Sequence, residues 1–86
     1  MHIIFSKKFI KAYEKISLSV QKKFDDRLVL FCKDPDNKLL NCHGLHGKYA
    51  GYFSFNVTSD YRAIFEYVNS DKIELTTIGT HAQLYK

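Results

Sequence analysis

The sequence has no apolar run long enough to span a bilayer, which requires about 20 consecutive apolar residues. The apolar residues at its start, within 1–5, are too few for the core of a signal peptide, and Lys7 and Lys8 follow almost at once. From these absences we expect a cytoplasmic protein that makes no use of a membrane.

Cysteine and proline are scarce as well. The two cysteines, Cys32 and Cys42, form no Cys-x-x-Cys motif, and in a reducing compartment we expect them to be buried thiols rather than a disulfide. The single proline, Pro35, lies in the polar stretch 33–37. This stretch predicts a break in the chain, because proline and its polar neighbours favour turns.

The composition is that of a folded domain. A chain of 86 residues has room for one modest core, and its 45% hydrophobic and 15% aromatic content argues against disorder. No internal repeat, low-complexity segment or linker divides it. We therefore predict a single domain over residues 1–86.

The positive charge is concentrated in the first part of the chain. Residues 1–38 contain nine Lys or Arg against five Asp or Glu, whereas residues 39–86 contain four of each kind. A basic half suits RNA phosphates or an acidic protein partner, because counterion release and electrostatic steering favour both. From the charge alone, a solvated helix face is an equally good interpretation.

Hydrophobic spacing predicts a strand, His2–Phe5, and two helices before the break. Ser6 can cap the first helix, and Ser17 or Ser19 the second. Both helices carry apolar residues at the three- and four-residue spacing of a buried stripe. The stripes are Phe9, Ala12, Tyr13 and Ile16 in the first helix, and Val20, Phe24, Leu28 and Phe31 in the second.

Beyond Gly47 the pattern changes from helical spacing to the alternation of apolar and polar residues that is typical of strands. A strand at 52–57 is followed by two more at 60–68 and 73–78, with short turns between them. The order β-α-α-β-β-β predicts an α+β fold in which a two-helix hairpin packs on a small antiparallel sheet.

Polar side chains suited to chemistry are concentrated in the second half, which holds three of the four histidines. Cleavage of RNA by its own 2′-hydroxyl requires a base for that hydroxyl, an acid for the leaving 5′-oxygen and cations around the phosphate. Histidine fills the first two roles near neutral pH, and Arg62 or Lys48 the third. The pattern indicates a ribonuclease that works on the polar face of the sheet.

Three motifs occur in order: His43-x-Leu45-x-Gly47-x-x-x-Gly51-Tyr52, then Asp60-Tyr61-Arg62, then Gly79-Thr80-His81-x-x-Leu84-Tyr85. On the basis of these motifs and the order of its elements, the chain resembles the RelE/ParE toxin superfamily of type II toxin–antitoxin systems, and most closely its YafQ-like branch. The resemblance covers nearly the whole chain. The resemblance implies a RelE-like, microbial-ribonuclease-like fold and a ribosome-dependent mRNA endonuclease, or mRNA interferase, that needs no metal or other cofactor. It implies the ribosome and mRNA as partners, and a small, acidic antitoxin with a DNA-binding domain.

Five residues are expected to be catalytic: His43, Asp60, Arg62, His81 and Tyr85. Five more are expected to bind the substrate: His46, Lys48, Tyr52, Asn56 and Tyr61. A zinc site made by the three histidines of the second half is a further alternative, although neither a cysteine nor a rigid spacing supports it.

The chain departs from the branch at three positions. Ser54 and Asn56 stand where the branch has an aspartate and a histidine, and Gly44 stands where a proline is usual, so His43 is expected to be held less rigidly. Asn56 cannot transfer a proton, so His46 or His81 would have to replace the missing histidine. Otherwise the protein would be a slow or inactive member of the branch. Two further alternatives are a degenerate toxin that retains only antitoxin binding and a non-enzymatic ParE-like toxin that acts by binding gyrase.

Overall fold

The computed structural model describes residues 1–86 and contains five strands and three α-helices. The strands are β1 (His2–Phe5), β2 (His43–Gly44), β3 (Phe53–Asn56), β4 (Tyr61–Asn69) and β5 (Lys72–Thr80). The helices are α1 (Lys7–Lys15), α2 (Leu18–Lys33) and α3 (His81–Leu84), and a 3-10 turn spans Gly47–Tyr49. The predicted order is confirmed for the long elements, and β2, the 3-10 turn and α3 are added to it. No helix combines the length and the apolar composition that a membrane crossing requires.

Serine side chains begin both main helices. The Ser6 hydroxyl oxygen accepts from the Phe9 backbone N–H at 3.0 Å, and the hydroxyl donates to the Thr76 carbonyl at 2.9 Å, which ties the start of α1 to β5. Ser17 accepts from the Val20 N–H at 3.4 Å, so it is the cap of α2. The two helices therefore begin where the capping pattern predicts.

The sheet is mixed. Its strand order is β1-β5-β4-β3-β2, with β1 parallel to β5 and all other neighbours antiparallel. The predicted two-helix hairpin on a small sheet is confirmed, and β1 alone departs from the antiparallel pairing. Parallel neighbours require a long crossover connection, which the helical hairpin and the strands after it provide between β1 and β5.

Aromatic rings fill the space between the helices and the sheet. Phe31 on α2 packs against Phe55 at a ring-centroid distance of 5.5 Å and against Phe65 at 5.0 Å. Phe24 lies 6.1 Å from Phe55, and Phe9 on α1 lies 5.2 Å from Phe24. All five side chains are buried, so the predicted stripes of both helices form the core on one face of the sheet.

The opposite face of the sheet, which we call the outer face, is partly covered by α3. Gly79 near the end of β5 lies beneath this helix, where a Cβ would stand 3.0 Å from Gln83 Oε1 and 3.4 Å from Leu84 Cδ2. A larger residue would push α3 away from the sheet, so glycine permits the close approach. Leu84 is buried in this position.

The two cysteines are free and differ in their exposure. Cys32 is exposed on α2, so the prediction of a buried thiol is wrong for it, because the neighbouring Phe31 occupies the buried stripe. Cys42 is half-buried, and this burial, together with the charge of Asp36, raises the pKa of its thiol.

Phe31→Ala should lower the free energy of unfolding by about 3–5 kcal/mol, because it removes the ring that joins α2 to β3 and β4 and leaves a cavity. Urea denaturation followed by circular dichroism measures the change. Val29→Ala is the control on the same helix: Val29 is 56% exposed, and its substitution should change the stability by no more than about 0.5 kcal/mol. Equal effects of the two substitutions would contradict the packing described.

Candidate active site

A polar cleft of about 300 Å³ opens on the outer face of the sheet beside α3. The residues that line it are Asn41, His43, Leu45, Ser54, Arg62, His81 and Tyr85. They belong to β2, β3, β4, α3 and the segments next to them, so the cleft forms only when the sheet and the last helix are assembled. Four of the five residues predicted to be catalytic meet here, and no lining residue is acidic.

The strand β2 places His43 opposite Ser54 of β3. The Nδ1 atom of the exposed His43 ring lies 2.7 Å from the backbone carbonyl oxygen of Asn41, a residue with a positive φ of 44°. A carbonyl oxygen only accepts, so Nδ1 carries the proton, and Nε2 of the neutral ring keeps its lone pair. This bond and the strand pairing hold His43 although a glycine follows it, and they leave Nε2 free to accept a proton.

Arg62 supplies positive charge to the cleft. Its Nη1 donates to the backbone carbonyls of Thr58, Ser59 and Tyr61 at 3.0, 3.1 and 3.2 Å, which fixes the guanidinium against the turn before β4. No carboxylate lies within ion-pair distance of it. The charge is therefore uncompensated, and the remaining N–H groups are available to an anion.

The motif Gly79-Thr80-His81 sets the position of the second histidine in the cleft. The Thr80 hydroxyl oxygen accepts from the Gln83 N–H at 3.2 Å, and Gln83 Oε1 accepts from the Thr80 N–H at 2.9 Å. This reciprocal cap makes His81 the first residue of α3. The His81 N–H also donates to the carbonyl of Asp60 at 3.1 Å, which ties the helix to the turn before β4.

Aromatic packing supports the His81 ring. The Tyr85 ring lies 4.7 Å from it, centroid to centroid, with an angle of 51° between the planes. Tyr85 in turn meets Tyr49 of the 3-10 turn edge-on at 5.9 Å. Tyr85 therefore orients His81 and forms one wall of the cleft.

Asp60, the fifth residue predicted to be catalytic, does not line the cleft. It is exposed in the turn before β4, and its carboxylate makes no hydrogen bond. Thr58 holds this turn, because its hydroxyl oxygen accepts from the N–H groups of Asp60 and Tyr61 at 3.2 and 3.0 Å. Asp60 acts on the site through its backbone carbonyl, which binds the N–H of His81.

The residues predicted to bind substrate surround the cleft and do not line it. Asn56 opens into a neighbouring cleft of about 330 Å³, together with Lys23 and Arg27 of α2. The Tyr52 hydroxyl faces Glu66, whose hydrogen bond and negative charge raise the pKa of that hydroxyl.

The loop around the 3-10 turn carries two more of these residues. The Lys48 ammonium lies 5.2 Å from the centre of the Tyr49 ring, within the range of a cation–π contact. His46 is exposed and lies outside the cleft of His43 and His81. The three histidines are therefore not brought together, and no group of three or more His, Cys, Asp or Glu side chains is arranged to hold a metal ion.

The basic half of the sequence forms a groove of about 670 Å³ along α1. Its lysines, all on α1, are Lys7, Lys8, Lys11 and Lys15. Tyr61, the last of the residues predicted to bind substrate, also lines this basic groove, as do Gln83 and Leu84. The basic groove therefore reaches the helix that carries His81.

Ser54, which stands where the branch has an aspartate, also lines the cleft, although it was not among the predicted site residues. It is 1% exposed, and its Oγ has no hydrogen-bond partner. Two signals were available in the sequence: its match to the aspartate position of the branch, and its alternation with Phe53 and Phe55, which places it on the polar face of β3. Asn41 was missed as well, since the role of its carbonyl depends on the folded backbone.

The fold is shared with solved toxin structures. The chain is similar to YafQ from E. coli strain BL21(DE3), with 22% identity over 98% of this chain and 97% of that one and a TM-score of 0.78. It is similar to the YoeB/ParE toxin from Agrobacterium tumefaciens, with 21% identity, 94% and 99% coverage and a TM-score of 0.77. The RelB–RelE complex from Methanococcus jannaschii matches with 20% identity, 95% and 94% coverage and a TM-score of 0.73. The domain thus has the fold of the RelE/ParE toxin class.

A family model identifies the group within this class. Residues 3–85 match the model described as "ParE toxin of type II toxin-antitoxin system, parDE". The chain therefore belongs to the ParE toxin family of type II toxin–antitoxin systems, and the predicted membership of the RelE/ParE superfamily is confirmed. A search of curated protein sequences found no significant match.

We expect the neutral His43 ring to carry its proton on Nδ1, because the Asn41 carbonyl accepts from that atom. Two-dimensional ¹H–¹⁵N NMR of the imidazole nitrogens, recorded above the pH at which the ring titrates, distinguishes the two tautomers. His46, whose ring makes no hydrogen bond, is the internal comparison and should populate both forms. A His43 ring protonated on Nε2 would contradict the geometry.

Proposed function

We propose that this toxin is an endoribonuclease that cuts mRNA on the ribosome and so arrests translation in the cytoplasm. The observation that carries the proposal is the shared cleft of His43, His81 and Arg62, in which His43 Nε2 is free. Two histidines and an unpaired cation are the groups that RNA cleavage by the 2′-hydroxyl requires.

In this proposal the two histidines divide the proton transfers between them. His43 Nε2 removes the proton of the 2′-hydroxyl while that oxygen forms a bond to phosphorus. Protonated His81 gives its proton to the 5′-oxygen while the bond between phosphorus and that oxygen breaks. The products are a 2′,3′-cyclic phosphate and a 5′-hydroxyl, and Arg62 stabilises the negative charge of the phosphorane between them.

The ribosome would hold the mRNA in the reactive geometry, which lowers the demand on a cleft of about 300 Å³. The basic groove supports this role, because its lysines suit RNA phosphates and it extends to α3. In this proposal, charge attracts the toxin to ribosomal RNA and the cleft performs the chemistry.

A cognate antitoxin is the other partner that we propose. Similar structures include the E. coli DinJ–YafQ toxin–antitoxin complex and the M. jannaschii RelB–RelE antitoxin–toxin complex. The formal net charge of +4 favours an acidic antitoxin, because opposite charge speeds association and selects the partner.

His81→Gln and His43→Gln should each lower the rate of mRNA cleavage on ribosomes by about 10²–10⁴-fold, the usual contribution of general acid–base catalysis. Primer extension on mRNA from a purified translation system measures the rate. The double variant should lose less than the two single losses combined, because the residues act in one step.

His2→Gln is the matched control for these substitutions. His2 is an exposed histidine on β1, paired in register with Lys72 and outside the cleft, so cleavage should be unchanged. Full activity in both His43→Gln and His81→Gln would remove the cleft from the mechanism.

Cleavage should also survive treatment of the toxin with a chelator, because the two histidines and Arg62 supply the acid, the base and the cation. The toxin alone is treated and then added to intact, magnesium-containing ribosomes, so that only a metal held by the toxin is removed. Stoichiometric zinc in the purified protein, with activity lost on its removal, would overturn this assignment.

The match to the ParE family favours a second candidate, in which the toxin acts by binding gyrase and not by catalysis. The two candidates differ in their first effect after induction in a bacterium. A gyrase poison damages DNA while mRNA stays intact, whereas the endoribonuclease cleaves mRNA and stops translation before any DNA damage. Unimpaired growth on induction, with neither effect seen but with binding of the antitoxin retained, would indicate a degenerate toxin.

A further inference from the structure

We propose that the Ser54 hydroxyl, together with Arg62, forms a phosphate-binding site at the floor of the cleft. This site rests on the proposed endoribonuclease function and names the group by which the RNA is held. A non-bridging oxygen of the phosphodiester accepts from Ser54 Oγ, and a second oxygen accepts from the free N–H groups of Arg62.

The first support is the state of Ser54 in the free protein. The residue is 1% exposed, and its hydroxyl is buried without any hydrogen-bond partner. Buried hydroxyls are nearly always bonded, because an unpaired one gives up its hydration without replacement. Ser54 lines the cleft, and in this proposal its side chain turns toward a ligand oxygen that enters the cleft, which restores the missing bond.

The second support is the charge around Ser54, which selects an anion. His43 is its partner across β2 and β3, and Arg62 projects from the next strand on the same face with no carboxylate beside it. No acidic residue lines the cleft. A hydroxyl can donate to a phosphate oxygen while the guanidinium donates to another, which spreads the phosphate charge over both groups.

The structure holds two other buried polar atoms without partners, Asn56 Oδ1 and Thr76 Oγ1. Asn56 Oδ1 only accepts, so it cannot bind a phosphate oxygen. Thr76 lines none of the clefts of the protein. It is therefore a matched control for Ser54, with the same unpartnered hydroxyl but no access to a ligand.

The test compares Ser54→Ala with Thr76→Val in two measurements on the full chain. Binding of adenosine 3′-monophosphate, titrated by NMR in phosphate-free buffer, should be about 10–100-fold weaker in Ser54→Ala, the effect of one hydrogen bond to a charged group. Thr76→Val should bind as the wild type does. The melting temperature of Ser54→Ala should rise, because the substitution removes a buried group that has no partner in the free protein.

A rise in stability with a loss of binding is the combination that a purely structural serine would not give. Wild-type affinity in Ser54→Ala, or no binding of the nucleotide by the wild type, would overturn the proposal. A lower melting temperature in Ser54→Ala would also overturn it, by revealing a structural partner for the hydroxyl. Ser54→Cys keeps a donor, but a weaker one on a somewhat larger atom, and should also bind less tightly than the wild type.

The outcome is separable from that of the proposed function, because nucleotide binding is measured without ribosomes. If Ser54→Ala loses the nucleotide and the wild type leaves ribosome-bound mRNA intact, the phosphate site stands and the endoribonuclease proposal fails. If the wild type cleaves mRNA and Ser54→Ala cleaves it equally well with unchanged nucleotide affinity, the endoribonuclease proposal stands and the Ser54 site fails.

Discussion

The two-residue alternation of β3 and β4 is the constraint on which the rest of the structure depends. Phe55 and Phe65 must face the helices to complete the core, so Ser54 and Arg62 are forced onto the outer face. A slip of one residue in either strand would bury polar groups among phenylalanine rings and disperse the cleft. The contacts that stabilise the domain are therefore the same contacts that bring the candidate site together.

One feature of the cleft is unfavourable for the stability of the free protein, and a second leaves the cleft able to accept an anion. The Ser54 hydroxyl is buried without a partner, and the Arg62 guanidinium has no carboxylate to balance its charge. A structural role requires neither the unpaired hydroxyl nor the uncompensated charge. Their joint presence beside two histidines supports a site that is completed by an anion, and it distinguishes this cleft from the basic groove, whose lysines are exposed.

The sequence predicted the parts of the fold that local patterns determine. An apolar stripe such as the one that contains Phe24 and Phe31 indicates a helix whatever the helix packs against, and the serine cap fixes where it begins. The parallel pairing of β1 could not be predicted, because the choice of a partner strand does not depend on local sequence. The helix α3 could not be predicted either, because it is too short to show a periodicity. Motifs identified His43 and His81, but the free Nε2 of His43 depends on the backbone carbonyl of Asn41. The resemblance marked Ser54 only as a departure from an aspartate, and the burial of its unpartnered hydroxyl depends on the folded structure.

The chemical ends of the cleaved RNA test the proposed chemistry most directly. Fragments produced by the wild-type toxin on ribosomes can be isolated, and mass spectrometry identifies the group at each new terminus. Attack by the 2′-hydroxyl, with His43 as base and His81 as acid, predicts a 2′,3′-cyclic phosphate on the upstream fragment and a 5′-hydroxyl on the downstream one. A 3′-hydroxyl with a 5′-phosphate would contradict it, because those ends require water as the nucleophile and the 3′-oxygen as the leaving group.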